Sequence, residues 1–167
     1  CIRDRRNADG SPSWPDAVVG SITHGAQRAL CAVAFKAVVG SLGVDAETLM
    51  GQGASRELRR RICSKRELKV LGEGLGAPEH HLVSLAFSAK ESLYKCLFPR
   101  VGRFMDFGAA EVVAARHRPL ADGMHGELEL RLTVSWSERF QAGTTLESRF
   151  FMGHEHVETL VTLAADE

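Results

Sequence analysis

Phe87-Ser88-Ala89-Lys90-Glu91-Ser92-Leu93-Tyr94-Lys95 lies in the middle of the longest helical pattern of the chain. Around it Leu82, Leu85, Ala86, Ala89, Leu93, Cys96 and Leu97 recur at three- and four-residue steps, which predicts one apolar stripe on a long helix. Pro78 suits the first turn of that helix and Pro99 predicts its end. At about 100° per residue, Glu91 and Lys95 fall on the face opposite the stripe, one above the other. A Glu followed by Lys at this spacing is also an ordinary solvated pair, worth only tenths of a kcal/mol.

Working outward, the second informative stretch is Val44-Asp45-Ala46-Glu47, which follows Val38, Val39 and Leu42 and reads as the end of a buried strand. Strand side chains alternate faces, so Asp45 and Glu47 point the same way. Two neighbouring carboxylates repel, and burying them uncompensated is costly. A hard divalent cation such as Mg²⁺ would relieve that cost through oxygen ligands. By itself a D-x-E reads more readily as a strand running out into a solvated acidic turn.

Taken together and in this order, the two stretches resemble the 4'-phosphopantetheinyl transferases, nearer the type that activates surfactin and enterobactin synthetases. The motifs stand here as Gly43-Val44-Asp45-Ala46-Glu47 and Phe87-Ser88-Ala89-Lys90-Glu91-Ser92-Leu93-Tyr94-Lys95. A third motif stands upstream, from Trp14-Pro15 through Val18-Val19-Gly20-Ser21-Ile22-Thr23-His24. A weaker echo is His156-Val157-Glu158-Thr159-Leu160-Val161-Thr162-Leu163. The resemblance runs from Trp14 to Leu163.

It implies an α+β fold of two pseudo-twofold-related halves, each a small antiparallel sheet packed with a helix. We expect residues 1–71 to hold an arm, a three-stranded sheet, the D-x-E and a basic helix, and 72–167 the K-E-x-x-x-K helix with a second sheet. The implied reaction moves 4'-phosphopantetheine from coenzyme A to a serine of an apo acyl or peptidyl carrier protein, leaving 3',5'-ADP. The resemblance assigns Mg²⁺ (or Mn²⁺) to Asp45, Glu47 and Glu91, the base to Glu91, and the leaving phosphate to Lys95. It assigns coenzyme A phosphates to His24, Thr23, Lys90 and Lys95; the basic run with Arg5 and Arg6 reads either as further phosphate contacts or, at least as readily, as a solvated basic arm. A monomer is the family expectation, and the apolar settings of Cys31 and Cys96 suggest reduced thiols in a cytoplasmic protein.

Three departures stand out. Much of the longer N-terminal region that grips the nucleotide end of coenzyme A in this family is not found here. Gly25 replaces the small polar residue usual after the histidine, and Phe87 stands where another branch has Trp. Two other readings stay open: a Mg²⁺-dependent nucleotide or pyrophosphate hydrolase using the same acids, and a non-catalytic module that binds coenzyme A or a carrier protein.

Composition bounds the rest. The chain has 167 residues, 44% apolar and 25% charged, which is ordinary for a globular protein with a core. Lys and Arg number 21 against 21 Asp and Glu, so no global field argues for nucleic acid or a membrane surface. No apolar run approaches the length of a membrane span. Cys1, Cys31, Cys63 and Cys96 lack paired or metal-ligand spacing, and Cys31 and Cys96 sit in apolar patterns that predict buried, reduced thiols. The chain opens with Cys rather than Met, from which we expect that a preceding segment has been removed or left out.

Residues 18–23, 28–35 and 38–44 read as three strands of one small sheet. A helix capped by Ser55 follows, carrying Arg56, Arg59, Arg60, Arg61, Lys65, Arg66 and Lys69. That basic run reads equally as a docking surface for an acidic carrier protein and as a solvated face. Residues 72–76 read as a flexible link into the long helix, 109–115 as a strand and 116–126 as a loop. Leu128, Leu130, Leu132 and Val134 alternate with polar residues as a half-buried strand, and residues 150–152 with 157–163 close the sheet. His154-Glu155-His156 lacks helical spacing and a third ligand, so it reads as a turn and not a zinc site.

Overall fold

The computed structural model describes residue 7, residues 10–25 and residues 28–165. The fold is α+β, with antiparallel sheets packed against three helices. Its axis is helix α3 (Glu79–Val101). Ser84, Ser88, Ala89, Lys90 and Ser92 are buried together with the leucines, so the single apolar stripe read from the sequence is too narrow a description. A helix enclosed on nearly every side needs partners on every side. Strands β3 (Val39–Thr48), β6 (Thr145–Gly153) and β7 (His156–Ala164) supply one set, and helices α1 (Gln52–Ile62) and α2 (Lys65–Leu75) the other.

The helix does not stop at Pro99, which lies inside its last turn; it ends at Gly102, whose φ of 61° is left-handed and free of strain only for glycine. The basic segment is two helices, not one. Ser64 breaks it by capping α2 and exchanging hydrogen bonds with Glu67 in a capping box, while Gly51, not Ser55, precedes α1. The expected glycine link is the end of α2, closed at Gly76; the expected boundary after residue 71 falls inside this helix.

The sheet expectation needs a second correction. Strand β1 (Val18–His24) pairs only with β2 (Ala29–Phe35), and β3 joins the C-terminal strands in the order β3-β7-β6-β5-β4. The three-stranded N-terminal sheet is therefore a two-stranded ribbon set against the free edge of β3, where Ser21 Oγ accepts from the Val44 amide. Strand adjacency in sequence misled because β3 is buried on both faces and pairs with the last strand instead. Strand β4 (Ala110–Leu120) and β5 (Gly123–Leu132) form a hairpin turning at 121–122, so most of the predicted loop 116–126 is sheet. The second half of its edge strand, residues 116–120, is exposed and mostly polar, which hid the period-two pattern. The His154–Glu155 turn between β6 and β7 is as read.

Candidate functional site

The site forms where β3 meets α3. Gly43 makes this possible: a Cβ there would stand on the Ser92 carbonyl oxygen and 2.5 Å from the Cys96 amide nitrogen. With the two backbones that close, Lys95 reaches across from α3, and its Nζ donates to Asp45 Oδ1 at 2.6 Å and to Val44 O at 3.2 Å. From the β1 side, Thr23 Oγ1 donates to the same Oδ1 at 3.0 Å. Asp45 is 2% exposed, yet its Oδ2 is buried with no hydrogen-bond partner among the described residues. A buried acceptor oxygen left open calls for an ion or a water, because its desolvation is otherwise unrelieved.

Glu47 and Glu91 flank this carboxylate. Burial first, then the Asp45 charge, push the Glu47 carboxyl above its ordinary value, with Lys95 opposing. Glu91 is raised for the same two reasons in the same order. Three acids and one ammonium thus share a half-buried junction in which the negative charge is incompletely neutralised. An orphaned Oδ2 beside two carboxyls disposed to hold protons is a donor set that suits a hard divalent cation. Among the described residues, no three His, Cys, Asp or Glu side chains are drawn together closely enough to hold a metal ion as they stand.

Lys95 also lines a groove of about 760 Å³ between β1, the start of β3 and the end of α3, walled by Trp14, Tyr94, Phe98 and Arg100. His24 closes β1 as an exposed residue next to buried Thr23. Lys90 is not in the site. It lies in the core, 2% exposed and 2.6 Å from Glu67 Oε1, because it projects from α3 about 100° away from Glu91. Arg5 and Arg6 lie outside the described residues. Cys31 is exposed on β2, against expectation, whereas Cys63 and Cys96 are buried and burial pushes both thiols up to about 12.

The sequence reading missed Glu67 and the Ser21 hydroxyl, and named Thr23 for a phosphate without foreseeing the hydroxyl that holds Asp45. The signal for the last two was present: a Ser-x-Thr on a strand places both hydroxyls on one face, here toward β3.

The chain matches the family described as the 4'-phosphopantetheinyl transferase superfamily over residues 41–149. That span contains the whole β3–α3 junction. The chain belongs to the 4'-phosphopantetheinyl transferase superfamily. The 4'-phosphopantetheinyl transferase N-terminal domain matches residues 2–34, which include Thr23 and His24. Among similar proteins, 4'-phosphopantetheinyl transferase Svp of Streptomyces mobaraensis is 41% identical over 103 residues, 62% of this chain and 42% of that protein. Enterobactin synthase component D of Salmonella typhi is 40% identical over 154 residues, 88% of this chain and 61% of that one. 4'-Phosphopantetheinyl transferase Npt of Nocardia iowensis is 34% identical over 128 residues, 75% and 54% respectively. The chain spans about half the length of the curated relatives it matches.

Proposed function

We propose that this member of the superfamily transfers the 4'-phosphopantetheine group of coenzyme A to a serine of an apo acyl or peptidyl carrier protein. The observation that carries the reading is the Asp45 carboxylate, held on one oxygen by Lys95 and Thr23, open on the other, and flanked by Glu47 and Glu91. In this reading Asp45, Glu47 and Glu91 hold Mg²⁺ or Mn²⁺, which when bound neutralises charge on the pyrophosphate.

The serine oxygen attacks the phosphorus that bears the pantetheine, and the bond from that phosphorus to the 3',5'-ADP oxygen breaks. Glu91, whose raised pKa suits a base, takes the serine proton. Lys95 donates to Val44 O and Asp45 Oδ1, which leaves one of its three protons for the departing phosphate oxygen. Thr23 keeps Asp45 aimed, and exposed His24 beside it meets a coenzyme A phosphate. Positioning and charge neutralisation supply most of the rate in phosphoryl transfer, and no covalent intermediate is required.

The carrier protein docks against the exposed cations of α1 and α2, namely Arg56, Arg60, Arg61, Lys65, Arg66 and Lys69. An acidic partner would be steered there. Carriers of nonribosomal peptide and siderophore synthesis are the first to try, given the likeness to enterobactin synthase component D. No helix among the described residues is long and apolar enough to cross a membrane.

The test is intact-mass spectrometry of apo carrier proteins incubated with the chain, coenzyme A and Mg²⁺. A gain of about 340 Da on a carrier, lost with EDTA and with Glu91→Gln, is expected for one transferred group. Release of 3',5'-ADP without any carrier would instead favour hydrolysis. Retained coenzyme A binding with no gain on any carrier would favour a binding module.

A further inference from the structure

Lys90 stands beside the proposed base in sequence but makes a different set of contacts. Its ammonium donates to Ile62 O at 2.7 Å and to Phe107 O at 2.9 Å, and it forms an ion pair with Glu67 Oε1 at 2.6 Å. Glu67 is equally committed. Its Oε1 accepts from the Val112 amide at 3.1 Å, and its Oε2 from the Ser64 amide at 2.8 Å. One buried ion pair therefore joins the last residue of α1, the first turn of α2, the 3₁₀ turn at Phe107–Ala109 and the start of β4 to a single point on α3.

We infer that Lys90 and Glu67 are a positioning pair that fixes the rotation of α3 and thereby the place of Glu91, and that Lys90 makes no contact with substrate. The inference rests on the proposed transfer reaction. Helix geometry gives the sensitivity. A glutamate carboxylate sits roughly 6 Å from the helix axis, so a 10° rotation moves it by about 1 Å. Leucine contacts along α3 resist such a rotation weakly, because apolar packing is not directional. Hydrogen bonds from one ammonium to two fixed carbonyls, beside an ion pair to a fixed carboxylate, resist it strongly, since hydrogen bonds weaken with misalignment. A buried ion pair is poor evidence of added stability but can specify one arrangement.

The test compares the wild type with Lys90→Met, Glu67→Gln and the double variant Lys90→Met/Glu67→Gln. The double variant removes both charges, so it keeps the fold even where Lys90→Met alone strands a buried carboxylate. In the double variant we expect kcat to fall about tenfold or more, with KM for coenzyme A within about twofold of wild type. Mn²⁺ binding, followed by electron paramagnetic resonance without any carrier, weakens by about threefold or more because its proposed ligand Glu91 is displaced. A rise in coenzyme A KM of about tenfold with kcat unchanged would mark a direct phosphate contact and overturn the inference. Unchanged kcat together with unchanged Mn²⁺ affinity would also overturn it, leaving a pair that only packs. If the wild type modifies no carrier, the transfer reading fails by itself. The Mn²⁺ comparison then decides the positioning role, and equal affinities overturn it.

Discussion

Gly43→Ala is the sharpest perturbation of the β3–α3 junction, because one methyl group meets two backbones. The new Cβ would lie 2.5 Å from the Cys96 nitrogen, whereas ordinary contact begins at 3.4 Å, so the strand and helix must separate by about 1 Å. Neither Ser92 O nor Cys96 N can rotate away, since both belong to the backbone of α3. Overpacking of this kind costs about 1–3 kcal/mol, and here we expect the upper part of that range. The same shift draws Lys95 Nζ from its 2.6 Å contact with Asp45 and carries Glu91 away with it. A displacement of about 1 Å at reacting groups costs on the order of 100-fold in rate. Urea unfolding gives the first quantity and mass-resolved carrier modification the second. Gly53→Ala is the control: nothing lies within 4 Å of its missing Cβ, and alanine favours the first turn of α1, so stability should hold or rise slightly. A Gly43→Ala protein with wild-type urea midpoint and wild-type turnover would refute the claim that close approach builds the site.

Lys95→Met should abolish transfer and lower stability by about 1–3 kcal/mol, less than a fully buried pair loses because the Lys95 side chain is 26% exposed. Adding Asp45→Asn should restore the stability but not the activity, and restoration of both would argue against a catalytic lysine. Thr23→Val removes the hydrogen bond to Asp45 Oδ1 and should cost about 1 kcal/mol with a several-fold loss of kcat; an unchanged kcat would reduce Thr23 to packing. The third concerns pH. Glu47 and Glu91 have folded pKa values above the ordinary 4.5, so their contribution to stability is fully present below that pH and is lost as pH rises through the raised values. A divalent cation favours the ionised forms, so the rise in Tm given by Mg²⁺ should grow between about pH 5 and about pH 8. Equal increments across that range, read by calorimetry, would count against these ligands.

The sequence carried the site further than it carried the sheet. That Asp45 shares a strand face with Glu47, and Glu91 a helix face with Lys95, was legible from a strand period of two and a helical step of four; the roles proposed for them came from the family resemblance. The phosphate role of Lys90 came from the resemblance, and only tertiary contacts show its ammonium donating to Ile62 and Phe107 and paired with Glu67. The pairing of β3 with β7 joins residues more than 100 positions apart, and nothing local encodes that choice. Pro99 and the glycines of α2 were read as breakers from local rules, yet packing of α3 and α2 against the sheet held them helical.

Stability and site come from the same contacts. Thr159, the register partner of Asp45 on β7, hydrogen-bonds Ser88 at 2.9 Å and Ser92 at 2.7 Å, all three buried. Small hydroxyl side chains there let α3 lie close to the sheet while their polar atoms remain satisfied. Larger apolar residues would bury more surface but would lift the helix off β3, and Lys95 would no longer reach Asp45. The hydroxyls beneath the helix, the glycine beside it and the lysine across it therefore act together. Each gives up some apolar burial or some charge solvation, and the return is one carboxylate oxygen left open at a fixed place between two acids. That open oxygen is a buried acceptor without a hydrogen-bond partner among the described residues, and it is the one around which the proposed chemistry is arranged.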